Sequence, residues 1–235
     1  MKKWFILSII ANIICLPLAG IYIVRKIQFY NNVNPKPTTI QNENIFWKIR
    51  NSEFKELKID SNSIVFLGDS HTQNFEVAEA FKDMRIKNRG IILDGTRSVL
   101  ERLTYIADKH PKKIFIQIGI NDLLSGVSPK TITDDFQSII QRLTSIAPHT
   151  SIYLQSVFPT NWVKYADHKP VLHDIIELNN QLQILGSKHG CTYVDLFSPL
   201  VKNNGLNPRY DCGDSLHLNG SGYILWKNYL KRYIN

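Results

Sequence analysis

The 235-residue chain is 43% hydrophobic, 20% charged and 11% aromatic, which excludes a collagen, a low-complexity polymer and a fully disordered chain. Its three cysteines are too few for a disulfide scaffold. The formal net charge of +8 is halved once the four basic side chains of residues 1–26 are set aside. The remaining chain is only mildly basic, so no nucleic-acid partner is predicted.

The N-terminus carries an apolar run of 21 residues, 4–24, that contains no charged side chain. As a helix it would be about 32 Å long, which matches a hydrocarbon core of about 30 Å. Basic pairs flank the run, and Trp4 and Tyr22 lie near its ends, where interfacial aromatic residues are favoured. Residues 1–26 are therefore predicted to be a single-pass transmembrane helix. The alternatives are a cleaved signal peptide, which is usually shorter, and a buried core helix.

A linker over residues 27–44, rich in Asn, Thr and Pro, is predicted to separate this anchor from a domain over residues 45–235. With the anchor, the domain is expected to be extracytoplasmic; with a cleaved signal, the protein would be secreted. A short amphipathic helix is predicted to open the domain, with apolar Ile45, Phe46, Ile49, Phe54 and Leu57.

From Ser63 onward, short apolar runs alternate with helical patterns. Strands are predicted over 63–67, within 84–92, and over 114–118, 151–157 and 192–195. Helices are predicted over 75–81, from a capping box at Ser98 and Glu101, and over 131–147, 171–188 and 219–234. This alternation predicts an α/β fold with a parallel sheet covered on both faces. Such sheets bind ligands beyond the carboxyl ends of their strands.

Chemically capable residues fall at those strand ends. Gly68-Asp69-Ser70 follows the first strand, Gly119-Ile120-Asn121-Asp122 follows the third, and Asp214 and His217 follow the fifth. A serine hydroxyl needs a base to become a nucleophile, and His217 is the candidate base, with Asp214 to orient its ring. The backbone N–H of Ser70 and the amide of Asn121 are candidate donors to an oxyanion.

These motifs resemble those of the SGNH (GDSL) hydrolase superfamily, in its platelet-activating-factor acetylhydrolase-like branch, over roughly residues 60–234. The resemblance implies a flavodoxin-like three-layer α/β/α fold with a five-stranded parallel sheet. It also implies ester hydrolysis without a metal or other cofactor. Ser70, Asp214 and His217 would be catalytic, and Ser70 and Asn121 would form the oxyanion hole.

One block departs from the family pattern Asn-x-Gly-x-Gly-Gly-Asp, because the chain has Asn-Arg-Gly-Ile-Ile-Leu-Asp over residues 88–94. The position of the glycine that donates its N–H is occupied by Leu93. The backbone of Leu93 can still donate, but its side chain would narrow or reshape the acyl pocket. Gly90 is expected to serve packing, and which of the two completes the oxyanion hole is left open.

Other polar residues have simpler explanations. Asp69 and Asp122 are expected to accept loop N–H groups, and His71 is expected at the solvent surface. The spacing of four further residues matches no metal signature: Asp167, His168, His173 and Asp174. Cys191 and Cys212 are expected to be free thiols, because their predicted positions do not suit a disulfide. Three residues after the fourth strand either flank the substrate or only pack a loop: Trp162, Tyr165 and His168.

The sequence thus predicts a membrane-anchored serine esterase that removes a short acyl group, such as acetyl, from a carbohydrate or lipid through an acyl-enzyme. Two alternatives remain: an O-acyltransferase with the same triad, and a catalytically inactive binding module. Only Leu93 at the donor position favours the inactive module.

Overall fold

A computed structural model describes residues 45–234. The helices are α1 (Ile45–Glu56), α2 (Ser70–Gln73), α3 (Val77–Phe81), α4 (Thr96–Ala107), α5 (Ile120–Leu124), α6 (Pro129–Ile146), α7 (Leu172–His189), α8 (Phe197–Leu200) and α9 (Gly220–Ile234). The strands are β1 (Ile64–Gly68), β2 (Ile86–Gly90), β3 (Lys113–Gln117), β4 (Ser151–Gln155), β5 (Thr192–Val194), β6 (Val201–Lys202) and β7 (Gly205–Leu206).

Strands β1 to β5 form a parallel sheet in the order β2-β1-β3-β4-β5. This order is that of flavodoxin-like doubly wound sheets, whose ligands bind beyond the carboxyl ends of the strands. Gly68 at the end of β1 lies in register with Gly90 of β2 and Gln117 of β3. The predicted α/β fold and its five parallel strands are confirmed.

Two layers of helices cover the sheet, and each closes its own part of the core. Helices α4, α6 and α7 pack on one face through aliphatic side chains such as Leu103, Ile140 and Leu182. Helices α3 and α9 cover the other face, where the buried cluster combines aliphatic side chains with aromatic ones such as Phe75 and Trp226. Coverage of both faces explains why the central strands are apolar throughout rather than alternating.

Helix α4 starts two residues earlier than predicted, so the capping box expected at Ser98 and Glu101 is wrong. Gly95 is the N-cap residue, and glycine has no side chain that could cap the helix. The carboxylate of Asp122 instead accepts the backbone N–H of Thr96 at 3.0 Å. A cap supplied from another segment of the chain cannot be recognised from local sequence spacing.

Helix α1 forms as predicted, but most of its apolar side chains do not pack into the core. Phe54 is 2% exposed and lies beneath the guanidinium groups of Arg50 and Arg89. The other four apolar residues of this stretch are between 46% and 67% exposed: Ile45, Phe46, Ile49 and Leu57.

The predicted anchor (1–26) and linker (27–44) lie outside the described residues, and the domain boundaries stay predictions. Among the helices of residues 45–234, none is both long enough and apolar enough to cross a membrane.

Candidate active site

Ser70 lies where β1 passes into α2, at the carboxyl edge of the sheet. It is the first residue of α2, and the preceding Asp69 caps this helix by accepting the N–H of His71 at 3.0 Å. The turn needs a small residue at Gly90 on the neighbouring strand, because a Cβ there would collide with the backbone of Gln73. Ser70 is 7% exposed, so its hydroxyl is held in a shallow, largely enclosed position.

His217 and Asp214 lie in the loop that precedes α9, and this loop brings the imidazole of His217 to Ser70. The Oγ of Ser70 lies 2.9 Å from Nε2 of His217, although 147 positions separate the two residues. Nδ1 of His217 lies 2.6 Å from Oδ2 of Asp214. The other oxygen of Asp214 accepts the backbone N–H groups of Leu216 and His217.

These bonds keep Asp214 charged. Partial burial opposes ionisation, but the hydrogen bonds from the ring and backbone of His217 and from Leu216 outweigh it and lower the pKa of Asp214. A carboxylate at Nδ1 places the ring proton on that nitrogen, so Nε2 is the acceptor that faces the hydroxyl of Ser70. The three side chains therefore have the arrangement needed to activate a serine nucleophile.

Three N–H groups around Ser70 are candidates for an oxyanion hole. Nδ2 of Asn121 donates one hydrogen to the carbonyl of Asp94 at 2.9 Å, which leaves its second hydrogen for a ligand. Within residues 45–234, the backbone N–H groups of Ser70 and Leu93 have no acceptor. Gly90 is not available, because its N–H donates to Oδ1 of Asn88 at 2.8 Å.

Leu93 has the backbone conformation expected of a glycine. Its φ of +62° lies in the left-handed region, which is unusual for a bulky residue and costs about 1–3 kcal/mol. Its side chain is 65% exposed. The loop thus retains a glycine-type turn at the position where the family pattern has a glycine, and the leucine side chain extends towards solvent at the rim.

A buried ion pair, which sequence reasoning missed, supports this loop. Arg102 of α4 contacts Asp94 at 2.7 Å, with both side chains fully buried, and also donates to the carbonyl of Gly68. Trp47 of α1 donates its indole N–H to Asp94 at 3.1 Å. One signal was present in the sequence: Arg102 lies on the same face of α4 as apolar Val99 and Ile106.

The two further aspartates accept loop N–H groups, as expected. Asp69 is fully buried, and burial raises its pKa to about 8, with the nearby Asp94 and Asp122 adding to the effect. Its Oδ2 has no hydrogen-bond partner within residues 45–234. Burial also raises the pKa of Asp122 to about 6. Burial therefore favours the protonated form of Asp69.

The expectation that His71 lies at the surface is wrong. Its side chain is 1% exposed, and its ring centre lies 5.2 Å from that of His217 and 5.0 Å from that of Phe158. Burial lowers the pKa of His71 to about 3, with a smaller contribution from His217. The short helix α2 turns this side chain inward, so a neutral imidazole packs beside His217.

Of the remaining candidates, Trp162 contacts the triad loop directly, because its indole N–H donates to the carbonyl of Asp214 at 2.6 Å.

Cys191 and Cys212 are free thiols. Among the described residues, Asp211, Cys212 and Asp214 bring three ligand-type atoms within 4.8 Å of one another. Asp211 and Asp214 already accept backbone N–H groups of this turn, and the metal-free reaction stays a prediction.

Comparison with known proteins agrees with this geometry. Residues 66–225 match the GDSL-like Lipase/Acylhydrolase family. An arylesterase of Vibrio mimicus is 26% identical over 141 residues, which cover 53% of this chain and 70% of that protein.

Two solved structures share the fold. A Streptococcus pneumonia protein named for platelet activating factor is 25% identical, with a TM-score of 0.71, and the match covers 90% of this chain and 99% of that one. An acetylxylan esterase of Geobacillus stearothermophilus is 16% identical, with a TM-score of 0.61, over 76% of this chain and 96% of that one.

The fold and the matched family define a hydrolase that acts on carboxylic esters. The chain belongs to the GDSL-like lipase/acylhydrolase family.

Replacement of Arg102 by leucine should destabilise the protein and slow catalysis. The change leaves Asp94 buried without its cation, which should lower the free energy of unfolding by about 3–5 kcal/mol. It also loosens the loop that carries Leu93 and Asp94, whose carbonyl accepts the side-chain amide of Asn121. Urea unfolding and ester hydrolysis measure the two effects. Lys109→Leu, an exposed side chain just after α4, is the control and should change neither. Unchanged stability in Arg102→Leu would contradict the structural role.

Asp69→Asn should change how stability depends on pH. Because the folded pKa is raised above the ordinary value, folded Asp69 retains a proton that the unfolded chain releases, so wild-type stability falls as pH rises from about 4 to 8. Relative to that of Asp69→Asn, the free energy of unfolding of the wild type should fall by about 2 kcal/mol between pH 6 and 8. Urea unfolding at both pH values measures this loss. The exposed Asp108→Asn should follow the wild type; an Asp69→Asn curve parallel to it would exclude a raised pKa.

Proposed function

We propose that this protein is a serine esterase that removes a short acyl group, such as acetyl, from a carbohydrate or lipid ester through an acyl-enzyme on Ser70. The observation that carries the proposal is the chain of contacts from Ser70 Oγ to His217 Nε2, 2.9 Å, and from His217 Nδ1 to Asp214 Oδ2, 2.6 Å. Ser70 is the nucleophile, His217 the base and acid, and Asp214 the residue that orients the ring.

In the acylation step, His217 Nε2 takes the proton of Ser70 as Oγ bonds to the carbonyl carbon. The carbonyl oxygen becomes an oxyanion, with the N–H groups of Ser70, Asn121 and Leu93 as its donors. The charged Asp214 stabilises the imidazolium that forms. His217 then gives its proton to the leaving alcohol as the ester C–O bond breaks.

Deacylation repeats these roles with water. His217 removes a proton from water as the water oxygen attacks the acyl carbon, and the collapse of the second oxyanion returns the proton to Ser70. The side chains of His217 and Asp214 are 26% and 40% exposed, so water has access to the base. This exposure favours hydrolysis over transfer to a sugar hydroxyl, which requires that water be excluded.

The names of both relatives support ester hydrolysis, and one of them names an acetyl group. The Vibrio mimicus relative is an arylesterase, and the Geobacillus stearothermophilus neighbour is an acetylxylan esterase. From the sequence alone, we also propose that residues 1–26 anchor the protein to a membrane and that the domain is extracytoplasmic, with secretion after signal cleavage as the alternative.

Ser70→Ala should abolish hydrolysis of p-nitrophenyl acetate, because it removes the atom that forms the acyl-enzyme. The expected loss in kcat is at least about a thousandfold, within the range for triad residues. Release of p-nitrophenolate from acetyl, butyryl and octanoyl esters measures the activity and its dependence on chain length, and acetyl should be preferred.

The matched control is Ser187→Ala, an exposed serine on α7 whose hydroxyl bonds only within its own helix. It should retain full activity. Equal activity in the wild type and Ser70→Ala would exclude the proposed mechanism, and acetylated sugar acceptors appearing in place of free acetate would favour the transferase.

A further inference from the structure

The segment between β4 and α7, residues 159–170, is tied to the loop that carries Asp214 and His217. The hydroxyl of Thr160 donates to the carbonyl of Ser215 at 2.6 Å, and the N–H of Asn161 donates to the same oxygen at 3.2 Å. The indole N–H of Trp162 donates to the carbonyl of Asp214 at 2.6 Å. Three consecutive residues thus bond to the carbonyls of two consecutive residues, Asp214 and Ser215.

The rest of this segment is a small hairpin that presents Tyr165. Val163 and Pro170 form an antiparallel bridge, and the N–H of Lys164 donates to the carbonyl of Lys169. The N–H of Tyr165 donates to the carbonyl of Leu124 at 2.9 Å. Leu124 ends α5, the helix that carries Asn121, so the hairpin spans the two sides of the site.

Tyr165 is exposed although its backbone is held in place. Its side chain is 54% exposed, and its ring meets that of Trp162 edge to face, with 6.4 Å between centres. An ion pair between Lys164 and Asp174 fixes the hairpin to α7. A large ring kept in water at a fixed position beside a reactive site is a feature of a binding surface rather than of packing.

The position of these rings identifies which part of an ester they would meet. During acylation, His217 must pass its proton to the leaving alcohol, so the alcohol lies on the histidine side of Ser70 and the oxyanion lies on the side of Asn121. Trp162 bonds to the loop of His217. The ring of Tyr165 meets that of Trp162. The aromatic corner, defined as Trp162 and Tyr165, therefore borders the alcohol.

The surroundings of the corner favour a sugar ring over an alkyl chain. In residues 159–170, Tyr165 is the exposed large hydrophobic side chain. Apart from the small Ala166 and Pro170, the other exposed residues of this segment are polar or charged: Asn161, Asp167, His168 and Lys169. A pyranose ring has an apolar C–H face that packs on an aromatic ring and hydroxyls that bond to polar neighbours. A long alkyl alcohol would require further apolar walls.

We propose that the aromatic corner is the subsite for the alcohol part of the substrate and that this alcohol is a sugar ring. The inference rests on the proposed esterase function, which supplies the position of the leaving alcohol. It selects carbohydrate esters from the two substrate classes that the function leaves open.

The test measures binding separately from turnover. In the full-length Ser70→Ala protein, calorimetry gives the Kd of methyl glucopyranosides that carry a single O-acetyl group, with hexyl acetate for comparison. Adding Tyr165→Ala should raise the Kd of the sugar ester about five- to tenfold, the effect of losing one aromatic contact. Tyr165→Phe keeps the ring and should bind within about twofold of the parent. Tyr229→Ala, an exposed tyrosine on α9, is the matched control and should not alter the Kd.

Two outcomes would overturn the subsite: a Kd that Tyr165→Ala leaves unchanged, or hexyl acetate bound at least as tightly as the sugar ester. The absence of measurable sugar-ester binding would overturn it as well. Hydrolysis by the wild type is scored separately. Turnover of ethyl acetate with a Kd insensitive to Tyr165 would reject the subsite and retain the esterase. Binding that depends on Tyr165, without any ester hydrolysis, would retain a sugar site at the corner but would reject the esterase and, with it, the assignment of that site to the leaving alcohol.

Discussion

Parallel pairing in the central sheet is the constraint on which the site depends. Parallel strands in register end at one edge, so the residues that follow β1, β3 and β5 are brought together however far apart they lie in the chain. The contact between Ser70 and His217, across 147 positions, is a consequence of this topology. A sheet with an antiparallel strand at β1 or β3 would separate the hydroxyl from the amide of Asn121.

Two independent devices then hold the loops at that edge. On the side of Asn121, the buried pair of Arg102 and Asp94 connects α4 with the end of β1 and with the loop at Leu93. On the histidine side, the segment after β4 bonds to the carbonyls of Asp214 and Ser215. A strained residue adjoins each device: Leu93, with a φ of +62°, adjoins the first, and Ser215, with a φ of +66°, adjoins the second. Strained backbone persists where surrounding bonds over-determine it, which is typical of functional sites.

Periodicity and short motifs were sufficient for the five strands of the central sheet, the long helices and the grouping of Ser70, Asn121, Asp214 and His217 at one edge. These features depend on local apolar spacing and on the general rule for parallel sheets. The short β6 and β7 were not predicted. The exposure of Ile45 and Ile49 reflects tertiary packing that their helical spacing does not report. The burial of His71 and the start of α4 at Thr96 depend on partners from distant segments. No local pattern reports such partners.

Arg102 combines a feature that the sequence predicts with one that it does not. Its position on the buried face of α4 is readable from the helical period, but its partner Asp94 lies in a loop whose course is set by tertiary packing. The same holds for Trp162, whose role follows from a bond to a backbone carbonyl that carries no sequence signal. Backbone acceptors of this kind become visible only in three dimensions.

The central claim is that the imidazole of His217 activates the hydroxyl of Ser70, and covalent labelling tests it most directly. The protein is treated with a fluorophosphonate, and the adduct is located by mass spectrometry of its peptides in the wild type and in His217→Ala. The account predicts one adduct, on Ser70, that forms in the wild type and is slowed at least about a hundredfold in the variant. An adduct on another residue, or labelling of Ser70 at the same rate in both proteins, would contradict it.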